Sequence, residues 1–405
     1  MRKLAIVLAD PDTGGGVPVV ARFIRRAAEA SGRYRVAIFS LATSSRDVAS
    51  RRIGDPRTWL RGPTTGHRHW DGENHIHFGA DFGEIELARY MRRSSLSAAL
   101  SAYDVVQVVA GGAAMANVAL DCGAPVSLQV ATRVRLERRL RDKRPGGLTS
   151  CWRRGMTAAI DRLEQRVLQR VDAVQVENPG MLDFVQRITN GRKVDVRYAP
   201  PGVDTTRFVP RPQCAGAAEA QYVLCVGRLD DPRKNVQLLL DSYALLPIAL
   251  RRGVRLTLAG ATPPDRAFWA RVDELDLRRD VHYVARPSLT QLITLYQGAA
   301  AFALSSDEEG LGLVLLEAMA CGAVPVATRC GGPDGVLSDG EDGFLVDVGD
   351  ASAMADRLRV LLTDHKQRCM MARRARAKVV QHYDAKRAGE EYVRIWDTLL
   401  EARVN

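Results

Sequence analysis

The chain has 405 residues, 46% hydrophobic and 26% charged, with 34 glycines and a formal net charge of +11. That length allows two or three domains with ample core, and the composition excludes a disordered or fibrous protein. No apolar run approaches the ~20 residues that a membrane-crossing helix needs.

The first predicted strand, Lys3 to Ala9, is apolar from Leu4 and stops at Asp10, so the N-terminus reads as a buried strand and not a signal peptide. Gly14, Gly15 and Gly16 follow it, and a helix is expected over Val17 to Ala30. Backbone N–H groups in such a turn can face phosphate or acceptor oxygens, although the same run also suits an ordinary strand-to-helix connection. It is neither a GxGxxG fingerprint nor a P-loop. A second strand is expected at Tyr34 to Leu41. Beyond it, His67, His69, His75 and His77 flank Asp71-Gly72, a hairpin signal, and the two histidines on each arm share a face. The sequence places no acidic or cysteine partner beside them, so a solvated or acceptor-facing hairpin is expected ahead of a metal site.

Further strands are predicted at Ile76–Phe78, Val105–Val109, Pro125–Val130, Ala173–Val176 and Val194–Tyr198, with Asp104 and Asp172 at strand starts in structural roles. Segment 133–170 holds twelve Arg or Lys against four acids, a surplus of eight that contains most of the net charge. Such a segment suits an anionic membrane surface, a phosphorylated acceptor or simply a solvated helix face. Nucleic acid is not expected, because Trp152 is its single aromatic and no base-reading motif is present.

Pro200 to Gln213, PPGVDTTRFVPRPQ, reads as a linker, after which the strand and helix pattern restarts. Strands are expected at Tyr222–Val226, Arg255–Ala259, Val281–Val284, Ala301–Leu304, Val324–Ala327 and Phe344–Val346, then helices at Ala351–Leu362, Lys366–His382 and Ala385–Glu401. The expected architecture is α/β, with two doubly wound Rossmann-like domains, 1–205 and 206–384, facing a cleft. Helix 385–405 is expected to return to the first. Seven cysteines without CxxC pairing fit a reducing cytoplasm.

Two segments of the second half can carry chemistry. Gly227-Arg228-Leu229-Asp230, followed by Lys234-Asn235, stands at a strand end, where Arg228 offers a planar fork and Lys234 a point charge to phosphate oxygens. Ion pairing with Asp230 and Asp231 is the plainer reading. Ser305 to Gly322, SSDEEGLGLVLLEAMACG, places Glu309 and Glu317 eight residues apart around Gly310, Leu311 and Gly312, with a helix predicted from Leu313 to Met319. Eight helical steps span ~12 Å, comparable to a sugar and a ribose flanking one pyrophosphate. The helix start favours an anion, although exposed acids at a helix start need no ligand.

Taken in order, PPGVDTTRF, VGRLDDPRKN, EEGLGLVLLEAMACGAVPVAT, GGPDGV and DGFLV resemble a retaining glycosyltransferase of the GT-B fold, family 4. The likeness covers most of the second half; in the first it rests on the glycines after the first strand and on strand order. It implies that Glu309 holds hydroxyls of a donor hexose, Glu317 binds the ribose, and Arg228 and Lys234 hold the diphosphate. Gly15 and Gly16 match glycines that close over phosphate and acceptor, and the backbone at Ala285 and Arg286 borders the base, departing there from the usual glycine. Gln107 and Gln129 stand where many relatives carry histidines. Gln129 is therefore a candidate only for a neutral hydrogen bond to an acceptor or sugar hydroxyl, as Gly14 is for the acceptor.

The implied reaction is transfer of a hexose or amino-hexose from a nucleoside diphosphate sugar, UDP-linked by preference, to a hydroxyl acceptor with retention. It needs no metal, in keeping with the lack of a DxD-like pair, and no other cofactor. A sugar-nucleotide epimerase, a phosphorylase or a silent binding scaffold on the same fold are the alternatives. The expected location is the cytoplasm, with peripheral contact at the inner membrane face through segment 133–170.

Overall fold

The computed structural model describes residues 1–13, 15–44, 46–139, 147–211 and 221–404. Gly14 lies outside them, as do Arg141, Lys143 and Arg144 of the basic segment and Pro212 to Cys214. The chain divides into two compact units, Met1–Pro201 with Ala388–Asn405, and Gly202–Arg387.

The first unit is built on an eight-stranded sheet ordered β3-β4-β2-β1-β5-β6-β7-β8. Its strands are β1 (Arg2–Ala9), β2 (Tyr34–Leu41), β3 (Thr65–Trp70), β4 (Glu73–Phe78), β5 (Val105–Ala110), β6 (Val126–Val130), β7 (Ala173–Val176) and β8 (Asp195–Tyr198). All neighbours run parallel except the β3–β4 hairpin. Leu4 to Leu8 are buried throughout, because a parallel strand covered on both faces needs a continuous apolar run and not alternation. Asp71 and Gly72 both have positive φ, the conformation that a two-residue hairpin turn demands. Arg22 and Arg25, on the helix Gly16–Ala30, fix Asp71 at 2.7 and 2.6 Å. Asp104 and Asp172 cap strand starts by accepting the N–H of Lys3 and of Val126.

The closing helix, Ala385–Val404, gives its greater part to this unit. Trp396 is fully buried, donates its indole N–H to Gln107 at 2.8 Å and packs edge-on against Tyr34. Gly389 allows the approach, since a Cβ there would stand 2.7 Å from that of Ala27.

The second unit holds a six-stranded, wholly parallel sheet ordered β11-β10-β9-β12-β13-β14. These are β9 (Gln221–Val226), β10 (Val254–Gly260), β11 (Val281–Ala285), β12 (Ala301–Leu304), β13 (Pro325–Thr328) and β14 (Phe344–Val346). With β9 and β12 adjacent at the centre, the loops leaving their carboxyl ends become neighbours. Ligands of open α/β sheets bind at such loops.

Candidate functional site

After β9 the chain runs through Gly227 to a 3-10 turn, Pro232–Lys234. Asn235 ends the turn in the left-handed region and caps the helix Val236–Ala244, its side chain accepting from the Leu238 N–H. That same side chain donates to Asp307 at 2.8 Å, and Asp307 N–H donates to the Arg233 carbonyl at 2.7 Å. The two loops are thereby stitched together, and the stitch aims Lys234 at Glu309. Lys234 Nζ is 2.6 Å from Glu309 Oε1, and Ser306 Oγ donates to the same oxygen at 2.6 Å. Glu309 Oε2 has no partner among the described residues.

Arg228 is about half exposed and pairs with Asp231 at 2.9 Å; Arg233 grips the same carboxylate at 2.8 Å and reaches Glu308 at 3.1 Å. Burial works to raise the Asp231 carboxyl, but the hydrogen bond and charge of Arg233 outweigh it and hold the group below the usual range. Of the ion pairs that the sequence admits, Arg228 takes Asp231, while Lys234 takes Glu309 instead.

Leu311 is buried, so only its backbone is available to a ligand. Gly312 adopts φ 82, ψ 63 and opens the helix Leu313–Ala320 with no side-chain cap. The helix therefore starts later than Glu309, and Glu317 stands one turn into it. The stretch from Gly310 to Gly312 is held by the turn after β13: Glu309 N–H donates to the Cys330 carbonyl, and Gly332 N–H to the Glu309 carbonyl. A Cβ on Gly332 would lie 2.5 Å from the Leu311 oxygen, which explains a glycine there.

Glu317 accepts the Tyr296 hydroxyl at 2.8 Å. Burial pushes its carboxyl up to about 7, against the pull of that hydrogen bond. Ala285 ends β11, and Arg286 continues at φ 45 with its N–H on the Gly260 carbonyl. Gly260 is pressed against the β9 loop, where a Cβ would meet the Gly227 oxygen at 2.1 Å. Thus Arg228, Lys234, Glu309, the 310–312 turn and Glu317 all belong to the β9 and β12 ends of one unit, while Ala285 and Arg286 stand two strands away from β9. Ser306, Asp307 and Tyr296 complete the arrangement, and no motif spacing singles them out.

In the first unit, Gly15, with φ 93, is the N-cap of the helix that begins at Gly16 and gives it no side-chain cap. Gln129 is 1% exposed and donates one amide N–H to Glu177 at 2.5 Å, which leaves its second N–H and its Oε1 for a hydroxyl. Gln107 lies in the core with Gln175 and Trp396.

The histidine hairpin departs from expectation. His67 and His69 are exposed, but His75 and His77 point inward and are 3% and 1% exposed. Acidic partners arrive from distant loops, with Asp10, Asp47 and His77 offering ligand atoms within 4.8 Å of one another. Arg68 pairs with both carboxylates, and His77 bridges Ser40 at 2.7 Å and Asp47 at 3.1 Å. One guanidinium thus bridges two carboxylates and offsets half of their charge. Burial alone works to raise the Asp47 carboxyl, yet the His77 and Arg68 hydrogen bonds hold it well below its usual range. In the basic segment Arg138 is buried against Glu86, while Arg135 and Arg170 stay about half exposed and pair with Asp161 and Asp121.

Residues 212–378 match the family described as glycosyl transferases group 1. A D-inositol 3-phosphate glycosyltransferase of Corynebacterium urealyticum is 30% identical over 224 residues, covering 52% of this chain and 53% of the relative. A GDP-mannose-dependent alpha-(1-6)-phosphatidylinositol monomannoside mannosyltransferase of Mycolicibacterium smegmatis is 28% identical over 246 residues, covering 55% and 63%. The chain thus spans little more than half the length of these relatives. Among solved structures, the sucrose-phosphate synthase of Thermosynechococcus elongatus superposes with a TM-score of 0.76 at 19% identity, covering 99% of this chain and 100% of that one. Anabaena HepE in complex with UDP and glucose gives 0.68 at 17% identity, covering 98% and 100%. The match to glycosyl transferases group 1 thus lies in the second unit, and the fold is GT-B.

Proposed function

We propose that this chain, with its group 1 glycosyltransferase domain, moves a hexose or amino-hexose from a nucleoside diphosphate sugar to a hydroxyl acceptor with retention at the anomeric carbon. The observation that carries the reading is the joining of Lys234 to Glu309 across two strand ends, with Arg228 in the same β9 loop and Glu317 one turn into the helix that follows. Lys234 has three donors and can keep Glu309 while donating to a phosphate oxygen. Arg228 presents the rest of its guanidinium to the diphosphate, and the N–H groups opening at Gly312 add a partial positive charge. Glu309 Oε2 accepts from a hexose hydroxyl, and Glu317 from the ribose. In the first unit, the N–H groups at Gly15 and Gly16 offer an anionic ligand the same kind of contact.

In the step itself, the acceptor oxygen attacks the anomeric carbon on the face from which the diphosphate departs. The C–O bond to phosphate breaks, the new C–O bond forms, and a leaving phosphate oxygen takes the acceptor proton. The protein supplies position and electrostatics, with Arg228 and Lys234 stabilising the charge on the leaving group in place of a metal ion. A UDP-linked donor is our preferred reading; the GDP-mannose in the name of the M. smegmatis relative is its rival. The reading extends to a cytoplasmic setting and peripheral contact with an anionic membrane face.

Thermal shift with UDP-, GDP- and dTDP-sugars tests the donor site. One donor class should stabilise the parent and fail to stabilise Lys234→Ala and Glu309→Ala. If no donor stabilises the parent, or the variants respond as it does, the assignment is wrong. Product mass and anomeric configuration, measured with and without EDTA, test transfer, retention and metal independence.

A further inference from the structure

Segment Arg46–Arg61 of the first unit exposes apolar side chains among cations. Val48 is 75% exposed, Ile53 46%, Trp59 50% and Leu60 99%. They form one surface: Arg61 donates to the Val48 carbonyl at 2.9 Å, and Trp59 donates its indole N–H to the Arg52 carbonyl at 2.8 Å. Trp59 also stands edge-on to Phe82, and that contact, with the indole hydrogen bond, holds the short helix Arg57–Arg61 in place while leaving Leu60 in solvent.

Single exposed leucines need no explanation, but several together beside arginines do. Each nearby acid has a partner: Asp47 takes Arg68 and His77, Asp55 and Asp81 take Arg52 and Arg51 of the segment itself, and Glu84 accepts the Ile53 N–H. Arg46, Arg57 and Arg61 are exposed and have no ion pair among the described residues. Five arginines against two aspartates make the segment positive, in a chain of net charge +11, so a second copy would bring like charges together. A bilayer of anionic lipid meets both demands. Leu60 and Val48 can enter the acyl boundary, Trp59 can sit at headgroup level, and the arginines can reach lipid phosphates.

We propose that Val48, Ile53, Trp59 and Leu60, with Arg46, Arg57 and Arg61, form a docking surface for an anionic lipid bilayer. This deepens the peripheral-contact part of the proposed function and is independent of sugar transfer. It places that contact on segment 46–61, apart from segment 133–170, where Arg138 is buried against Glu86 while Arg135 and Arg170 stay about half exposed beside Asp161 and Asp121.

Cosedimentation of the full chain with phosphatidylcholine vesicles, with and without phosphatidylglycerol, tests it. The parent should bind only the anionic vesicles, and less as salt rises. Leu60→Ser combined with Val48→Ser should lower partition ~tenfold or more, and Arg57→Gln and Arg46→Gln ~fivefold each at low salt. Arg154→Gln with Arg162→Gln, in the basic segment, should change it little. Unchanged thermal stability and nucleotide-sugar response in the patch variants would separate lost docking from misfolding. No binding by the parent, full binding by the Leu60 and Val48 variant, or loss confined to the basic-segment variant overturns the proposal. So does a dimer in sedimentation velocity that Leu60→Ser dissociates while vesicle binding persists. Donor stabilisation without vesicle binding would leave sugar transfer standing and remove this surface alone.

Discussion

Lys234 Nζ and Glu309 Oε1 lie 2.6 Å apart although 75 positions separate them in the chain. Their side chains are only 19% and 9% exposed, so neither charge is well hydrated. A pair so placed is worth little against apolar replacement but is expensive to break from one side. Lys234→Ala should cost about 3 kcal/mol of stability. Adding Glu309→Gln should recover most of the loss, because an amide needs no counter-charge. Catalytically the outcomes diverge: Lys234→Ala should lower kcat/KM ~10²-fold or more, and the double variant should not recover it. Chemical denaturation and steady-state rates check the two arms separately.

Gly332 supports the site from below. Its N–H holds the Glu309 carbonyl, and an added Cβ would lie 2.5 Å from the Leu311 oxygen, a backbone atom that cannot swing aside. Gly332→Ala should therefore displace the 309–312 turn, with ~1–3 kcal/mol lost and donor affinity lowered. Gly340, where a Cβ meets nothing within 4 Å but φ is 79, provides the comparison. Gly340→Ala should lose stability through backbone strain alone and keep donor affinity. Melting temperature and calorimetric titration with the donor distinguish the two.

Much of this site was legible because its signals are contiguous. Glycines at Gly227 and Gly312 mark strand ends and a helix start, and apolar runs as short as Ala301–Leu304 mark buried parallel strands. What could not be read were the long-range hydrogen bonds. Tyr296 reaches Glu317 from the helix Leu289–Gly298, and Ser306 reaches Glu309 only because a bend follows β12. The same limit misdirects the histidine hairpin: His77 is satisfied by Ser40 and Asp47, 37 and 30 positions away, so it turns inward where a local reading leaves it solvated. Nor does local sequence show that the segment after β7 brings Glu177 to one amide N–H of Gln129.

Trp396 couples the closing helix to the first sheet through one polar contact inside an apolar one. Its indole N–H satisfies Gln107 Oε1, and Gln107 is fully buried. Trp396→Phe should retain most of the packing against Tyr34 and Tyr392 but orphan that oxygen, costing ~1–3 kcal/mol. Adding Gln107→Leu, which removes the orphan, should cost less than the sum of the single changes. A double-mutant cycle in urea measures the difference, and strict additivity would show that the hydrogen bond contributes nothing.

Glu317 should make donor binding depend on pH near neutrality. Its carboxyl is raised from 4.5 to about 7, chiefly by burial, with the Tyr296 hydroxyl pulling the other way. Between those two values the folded protein keeps a proton that the unfolded chain has released. This contribution to stability therefore falls as pH rises through the window and is level on either side, by at most about 3 kcal/mol. Ligand affinity runs in the opposite direction. The ionised carboxylate is the stronger acceptor for two ribose hydroxyls, so donor binding should tighten as pH rises through about 7. Tyr296→Phe removes the bond that favours the ionised form and should shift the midpoint upward. Glu317→Gln should bind weakly and without this pH dependence. Calorimetric titration of the donor across neutral pH decides the matter: a parent profile without a midpoint, or a Tyr296→Phe midpoint that moves down, would separate Glu317 from the ribose.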